Sequence, residues 1–358
     1  MKRHGGLWES LVRYRNLFHA ALRASRGKRA LANVARFHFD LEQELCELQD
    51  ELTTFSYQPG PYHEFEIFEP KRRLISAAPF RDRVIHHALC NVLEPIFERS
   101  FIHDSYACRR GKGTHAAVDR FQFFARRSRY VLQGDIRKFF PSVDHQILKD
   151  VVTRKIKDRG VLWLINRIID HSNDQEPVWM WFPGDDLFTR SERRRGLPIG
   201  NQTSQFFANV LLNPFDHFVV EQLRPAGYLR YVDDFALFGN NKERLAEQRT
   251  RCHVFLQNLR LQLHPHKSVI SRVEDGNRFL GYRVYPGYRR LPRENLLKMR
   301  RRLRQMHEEF AQGRINAIDI RRRLASWAGH ARHADPGPLR EALFGDTIFI
   351  RGSRADGS

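Results

Sequence analysis

The chain has 358 residues, in which 61 Lys and Arg outweigh 41 Asp and Glu for a formal net charge of +20. That length can bury a core shared by more than one lobe, and the imbalance points to a polyanionic partner, because solubility alone is served equally well by acidic residues. No run approaches the ~20 apolar residues of a membrane span, Met1-Lys2-Arg3 opens no signal-like apolar stretch, and Cys46, Cys90, Cys108 and Cys252 show no CxxC spacing, so the expectation is a cytoplasmic protein with buried free thiols and neither zinc site nor disulfide framework.

Residues 1–55 read as mainly helical, with Leu41, Leu45, Leu48 and Leu52 at helical spacing. Ser56 to Pro61 breaks the chain, and alternation from Tyr62 to Phe68 predicts a strand leading into the basic run Lys71-Arg72-Arg73. A helix is expected from Asp82 to about Phe97. Tyr130 to Ile136 reads as a short strand that delivers the carboxylate of Asp135 at its end. Helical spacing resumes from about Gln146 to Asp170, a Trp-rich charged stretch from Val178 to Arg195 reads as a hairpin or loop, and Thr203 to Leu223 is helical again. Leu229 to Phe238 is the sharpest hairpin signal, with apolar runs flanking Asp233-Asp234 and Gly239-Asn240-Asn241 as turn residues. Past Pro292, Leu296, Met299, Leu303, Met306 and Phe310 form one apolar stripe on a helix whose other faces carry Lys298, Arg300, Arg301, Arg302 and Arg304. No internal repeat is found, and Gly352 to Ser358 reads as a disordered tail.

Adjacent carboxylates between two apolar strands are costly to bury without cations. Tyr231-Val232-Asp233-Asp234 is therefore either an ordinary acidic turn or a metal site. The strand ending in Asp135 favours the metal site, because Ile136 and Phe140 follow it where a nucleotide pocket would use a carbonyl and an aromatic. Nucleotidyl transfer needs two divalent ions about 3.5 to 4 Å apart, and magnesium prefers a few carboxylate oxygens with positions left for phosphate and water.

On these motifs the sequence resembles reverse transcriptases, in order from about Lys71 to beyond His330. Lys71-x-Arg73 with Pro79 to Val84 matches the fingers, Asp135 to Asp144 the first palm motif and Gly196 to Asn209 the next. Tyr231 to Asp234 matches the YxDD hairpin, Leu263 to Lys267 the lysine motif that follows, and Phe279-Leu280-Gly281 the primer grip. The resemblance implies an α+β right-hand polymerase fold: an N-terminal helical region and fingers over 1–130, a palm of antiparallel sheet plus helices with interleaved fingers elements over 131–285, and a helical basic thumb and tail over 286–358. It implies Asp135, Asp233 and Asp234 as catalytic metal ligands, joined by the Ile136 carbonyl, for two Mg2+ ions that Mn2+ could replace. Lys71 and Arg73 would pair with the triphosphate of a dNTP. Phe140 would exclude a ribose 2′-hydroxyl, so the product would be DNA. Ile199 and Gln205 would line the nucleotide pocket, and Lys267 would act as an acid on departing pyrophosphate. Arg300, Arg301 and Arg304 would face the phosphates of the template RNA and RNA/DNA duplex. The bland alternative is a solvated basic run for the Lys71 and thumb arginine groups and an exposed loop residue for Lys267.

Gly196 to Gln205, Tyr285 to Leu291 and Ser326 to His330 look like the corresponding segments of diversity-generating retroelement enzymes; group II intron enzymes usually differ at Ser204-Gln205. That likeness implies an enzyme that copies a template-repeat RNA with errors opposite adenine, for transfer into a variable repeat, and a small basic accessory protein as partner. The stretch after Gly281 is expected to supply a thumb and no ribonuclease H domain, unlike retroviral and transposon enzymes. The alternatives are another bacterial reverse transcriptase (group II intron-like, retron or phage-defence associated) and a catalytically idle RNA-binding scaffold. The intact set of three aspartates argues against the scaffold.

Overall fold

In the computed structural model, whose described residues are 3–334 except 69–71, 174, 179 and 187, together with 349, the N-terminal part is helical as expected. It contains α1 (Trp8–Val12), α2 (Tyr14–Ala24), α3 (Ala32–Phe39) and α4 (Leu41–Thr53). Leu45, Leu48 and Leu52 are fully buried. Cys46, one residue off that stripe, is exposed, and so is Cys108 in a left-handed turn at φ 52°; the expectation of four buried thiols holds only for Cys90 and Cys252. The strand expected around Tyr62 to Phe68 is β1 (His63–Ile67), which pairs antiparallel with β2 (Arg73–Ala77).

The central helix α5 (Phe80–Glu98) begins two residues before the expected Asp82, because Pro79 fixes the backbone ahead of it and Phe80 is already buried. After it come α6 (Thr114–Ala125), β3 (Tyr130–Asp135) and the single turn α7 (Phe139–Ser142). The helical run from Gln146 to Asp170 divides into α8 (His145–Thr153) and α9 (Arg159–Asp170). Asp158 makes the break: it caps α9 by accepting from the Val161 amide, and also accepts from the Leu7 and Trp8 amides at 2.6 and 3.2 Å, tying α9 to the N-terminus. The described residues of 178–195 form an irregular loop with one short helix, α10 (Thr189–Glu192), and no strand.

Next come α11 (Gln202–His217), which continues as a π-helical turn over Phe218–Leu223, then β4 (Gly227–Tyr231), β5 (Asp234–Gly239) and α12 (Lys242–Asn258). Asn241 caps α12 by accepting from the Arg244 amide, so it starts that helix instead of serving as a hairpin turn. The described chain closes with β6 (Val269–Arg272), β7 (Asn277–Phe279), β8 (Tyr282–Val284), β9 (Arg289–Arg290), α13 (Arg293–Ala311) and α14 (Ala317–Ala331).

Strands β4-β5-β3-β6 make a four-stranded antiparallel sheet, and β7-β8-β9 a smaller one. The larger sheet is covered on both faces. Leu132, Phe235 and Leu237 join the core built with the N-terminal helices, α5, α8, α9 and α11, whereas Val131, Leu229, Ala236 and Phe238 pack with α6 and the smaller sheet. Gly134 leaves room for its cross-strand partner on the first of these faces: the Phe235 ring lies over it, and an added Cβ would sit 2.2 Å from a ring carbon. The fold class is thus mixed α+β around an antiparallel sheet, as expected.

In α13 the stripe Met299, Leu303 and Met306 is buried against Ile315 and Ile320, with Phe310 alongside, while Leu296 packs with the smaller sheet's core. Arg300, Arg301 and Arg304 are exposed. Among the described residues no helix is long and apolar enough to cross a membrane. The tail from Gly352 lies outside the described residues.

Candidate active site

Register decides the site. β3 pairs with β5 so that Asp135 stands directly opposite Asp234, and β4 returns through a two-residue turn, Val232 and Asp233, closed by the pair Tyr231 and Asp234. Cross-strand like charges destabilise a sheet. The turn is strained too: Val232 sits at φ 55°, a left-handed region that costs a β-branched residue about 1 to 2 kcal/mol and that hairpins usually give to glycine. Strain and opposed charge together, at a strand end, mark a functional site more than a folding device.

The surrounding protein desolvates these carboxylates. Burial, then the neighbouring Asp135, raises Asp233 above the ordinary carboxylate range, with Arg73 and Lys267 pulling the other way. Burial, then Asp233 and Asp135, pushes Asp234 up to about 7. Lys267 supplies local relief by donating from Nζ to Asp135 Oδ2 at 2.5 Å. Its segment is fastened to the end of β3, since the His264 amide donates to the Asp135 carbonyl at 2.7 Å and the Arg137 amide to Gln262 at 2.8 Å. The Ile136 amide reaches the Asp233 carbonyl at 3.4 Å, so both aspartate motifs share one backbone corner.

Among the described residues no three His, Cys, Asp or Glu side chains converge in finished metal-ligand geometry, and Asp135 is turned to Lys267. The donor set nonetheless fits hard divalent cations: carboxylate oxygens only, held together against their own repulsion and short of positive charge. Asp135, Asp233 and Asp234 are the residues that would hold them.

The residues expected from sequence on the nucleotide side lie on segments stitched to one another through backbone. The Leu197 amide donates to Phe140 at 2.9 Å, the Gly196 amide to Val143 at 2.8 Å and the Ser76 amide to Ile199 at 3.0 Å. Asn201 completes the seam, accepting from the Ala78 amide at 3.1 Å and donating to the Ser76 carbonyl at 2.9 Å. Ile199 and Phe140 are half-buried, Phe140 edge-on to Phe139, and Arg73 is exposed at the start of β2. Lys71 lies outside the described residues. Gln205 is partly engaged, its Oε1 3.7 Å from the Cys108 thiol. Asp144, at the end of the first palm motif, serves the scaffold instead, capping α8 and pairing with Arg193 at 2.9 Å and Arg260 at 3.3 Å.

Two features were not found from sequence. Arg230 and Asp216 form an ion pair at 2.7 Å with both side chains at 0% exposure; the available signal was a lone charge inside the apolar run of β4. Arg278, Arg283 and Arg290 stand in direct cross-strand register on the exposed face of the smaller sheet, while Gln133, two residues before Asp135, donates to the Arg278 carbonyl at 2.7 Å. The arginine row is thereby tied to the strand that carries Asp135. The α13 arginines belong to the helical pair that meets this sheet where the Tyr282 hydroxyl contacts His330 Nδ1 at 2.9 Å.

Comparison with known proteins places the sequence in a family. A family model described as reverse transcriptase (RNA-dependent DNA polymerase) matches residues 68–284. Protein YkfC of Escherichia coli (strain K12) is 28% identical over 284 residues, covering 68% of this chain and 72% of YkfC. Group II intron-encoded protein LtrA of Lactococcus lactis subsp. cremoris is 25% identical over 183 residues, covering 50% of this chain and 29% of that protein, so the chain spans less than a third of LtrA's length. Among solved structures, apo telomerase from Candida Tropicalis aligns with a TM-score of 0.48 at 12% identity, over 70% of this chain and 53% of that one.

Proposed function

Because the chain belongs to the reverse transcriptase (RNA-dependent DNA polymerase) family, we propose that it copies an RNA template into DNA at the corner formed by Asp135, Asp233 and Asp234. The observation that carries this reading is the register that sets Asp135 against Asp234 beside the Asp233 turn. Two bound Mg2+ ions, or Mn2+ in their place, would activate the primer hydroxyl and neutralise the leaving phosphates. The protein's part is positioning: Arg73 and Lys71 would meet the triphosphate, Phe140, Ile199 and Gln205 would line the nucleotide pocket, and Lys267, which pairs with Asp135, would act as an acid on departing pyrophosphate. In this reading residues 1–130 supply the N-terminal region and fingers, 131–285 the palm, and 286–358 the thumb. Extension of a DNA primer on an RNA template with Mg2+ is the test; a protein that binds the duplex and never extends it would be the idle scaffold.

The finer assignment we favour is a diversity-generating retroelement enzyme with a small basic accessory partner, on the strength of Ser204-Gln205 and the Tyr285 to Leu291 and Ser326 to His330 segments. The similarity to LtrA favours a second reading, a group II intron-like enzyme. The two part on error pattern. Sequencing cDNA made on a template with all four bases should show errors concentrated opposite adenine for the first and no such concentration for the second.

Ile199 gives that experiment a residue. In the family this position, between Pro198 and Gly200, is often Gln, whose amide can hydrogen-bond near the incoming nucleotide, whereas Ile offers apolar contact alone. A pocket of directed hydrogen bonds rejects misfits more sharply, since a wrong partner leaves polar groups unpaired. Ile199→Gln should lower the error frequency by about 10-fold, the discrimination that one modest contact supplies. Equal error rates opposite adenine in an active Ile199→Gln enzyme would sink the argument.

The exposed arginines of α13 predict a second outcome. Each phosphate contact contributes roughly 0.7 to 0.9 to the slope of log affinity against log salt. Neutralising Arg300, Arg301 and Arg304 together should therefore weaken duplex binding and flatten that slope by about 2 to 3. An unchanged slope would remove α13 from the duplex path.

A further inference from the structure

The turn that carries Asp233 is held from behind by a buried charge. Arg230, in β4, and Asp216, on α11, each have a side-chain exposure of 0%. Arginine has five N–H donors, and here every one has an acceptor. Nε and Nη2 donate to the two Asp216 carboxylate oxygens, both at 2.7 Å; Nη1 donates to Asn209 Oδ1 at 3.1 Å and to the Val232 carbonyl at 2.9 Å; Nη2 also reaches Ser105 Oγ at 3.4 Å. The Tyr228 hydroxyl donates to Asp216 Oδ1, the oxygen that also accepts from Nε, at 2.7 Å. The Arg230 backbone is pinned as well, its amide donating to the Asp104 carbonyl and its carbonyl accepting from the Tyr106 amide, both at 2.9 Å.

A buried ion pair is a weak source of stability, because an apolar pair of similar volume is often neutral or better. What an apolar pair cannot do is hold a carbonyl. The carbonyl held here belongs to Val232, the residue at φ 55°, and the same planar peptide unit carries the nitrogen of Asp233. Fixing that plane leaves Asp233 few ways to stand.

We propose that Arg230, oriented by Asp216 and Asn209, is a positioning residue that sets the Val232–Asp233 peptide plane and through it the Asp233 carboxylate; this rests on the polymerase reading above. The five side-chain donors of Arg230 are all spent on protein acceptors. Its contribution is to keep a strained turn in the one conformation that aims the carboxylate.

The test is single-turnover extension of a primed RNA template by the full chain, separating rate constant from amplitude. The variants are Arg230→Met with Asp216→Leu, which replaces the pair by apolar volume, and Arg230→Lys, which keeps the charge but has three donors and no planar fork. A displacement of about 1 Å at a reacting group costs roughly 100-fold. The rate constant should fall by about that factor in both variants, while amplitude, half-saturating dNTP and duplex affinity stay within about threefold of wild type. A purely structural role would lower amplitude and melting temperature and leave the rate of the surviving enzyme unchanged. If the paired replacement does not fold, Arg230→Lys decides. A rate constant within about threefold of wild type in either folded variant overturns the proposal. An inert wild type would instead overturn the polymerase reading, and this inference with it.

Discussion

Asp233→Ala and Asp135→Ala are each expected to abolish DNA synthesis while leaving binding of the RNA template largely intact. In this reading both carboxylates serve the same ion pair, and what a bound ion supplies, several kcal/mol of transition-state stabilisation, amounts to a loss on the order of 10³-fold or more when a ligand is removed. In the same reading binding would rest elsewhere, on the exposed basic side chains of β2, the smaller sheet and α13, so it should change by less than about threefold. Truncation at either aspartate also relieves opposed like charge, since Asp135 faces Asp234 and Asp233 adjoins it. The metal-free Asp233→Ala variant should accordingly be no less stable than wild type, and Asp135→Ala, which also gives up its half-exposed partner Lys267, should differ little. Lost activity with preserved or improved melting is the combination that identifies a catalytic carboxylate. Wild-type extension rates in either variant would end the assignment, and a collapse of folding in both would make these residues structural.

Much of the scaffold was legible because its signals are local. Alternation and a turn at Tyr231 to Asp234 define the hairpin, and the stripe Met299, Leu303, Met306 defines a helix that packs through those residues. Boundaries slipped where a single side chain makes the cut, as Asp158 does between α8 and α9 and Asn241 does at the start of α12. Residues 178–195 gave no clear period, and they fold as a loop anchored by Asp185, which pairs with Arg193 and Arg260. That Asp135 and Asp234 come together could be read because two apolar strand signals each end at a carboxylate, and the register sets the two opposite each other. Arg230 with Asp216, and Gln133 with the Arg278 carbonyl, could not be read, because each joins segments distant in sequence and depends on which face of the sheet a residue occupies. The Lys267 to Asp135 contact spans 132 residues and was visible only as a motif, without its partner.

The contribution of Asp234 to the stability of the cation-free protein should fall as pH rises through the window set by its ionisation, and divalent cation should offset that loss most at the alkaline end. Burial, then Asp233 and Asp135, holds this carboxyl at about 7 in the folded chain, against an ordinary value of 3.8. Between those values the native state keeps a proton that the unfolded chain has released, so the group's contribution to stability declines with rising pH and levels off above about 7. Other groups tilt the opposite way: burial lowers His86 to about 3 and His87 to about 4, so their neutral forms favour the folded state as pH rises towards 6.5. The informative quantity is therefore the difference between wild type and Asp234→Asn, which removes this titration and leaves the histidines in place. Without divalent cation the variant should gain on wild type steadily from pH 5 to pH 7 and hold its lead above. A cation that binds the folded form alone adds about 2.7 kcal/mol at 100 times its dissociation constant. It must displace the Asp234 proton to bind, so at one fixed Mg2+ concentration the gain in wild-type melting should be large at pH 8 and small at pH 5.5. Asp234→Asn should show little of that pH dependence. Parallel melting curves for the two proteins across this range, with and without Mg2+, would mean that Asp234 keeps an ordinary ionisation and lies outside the cation's reach.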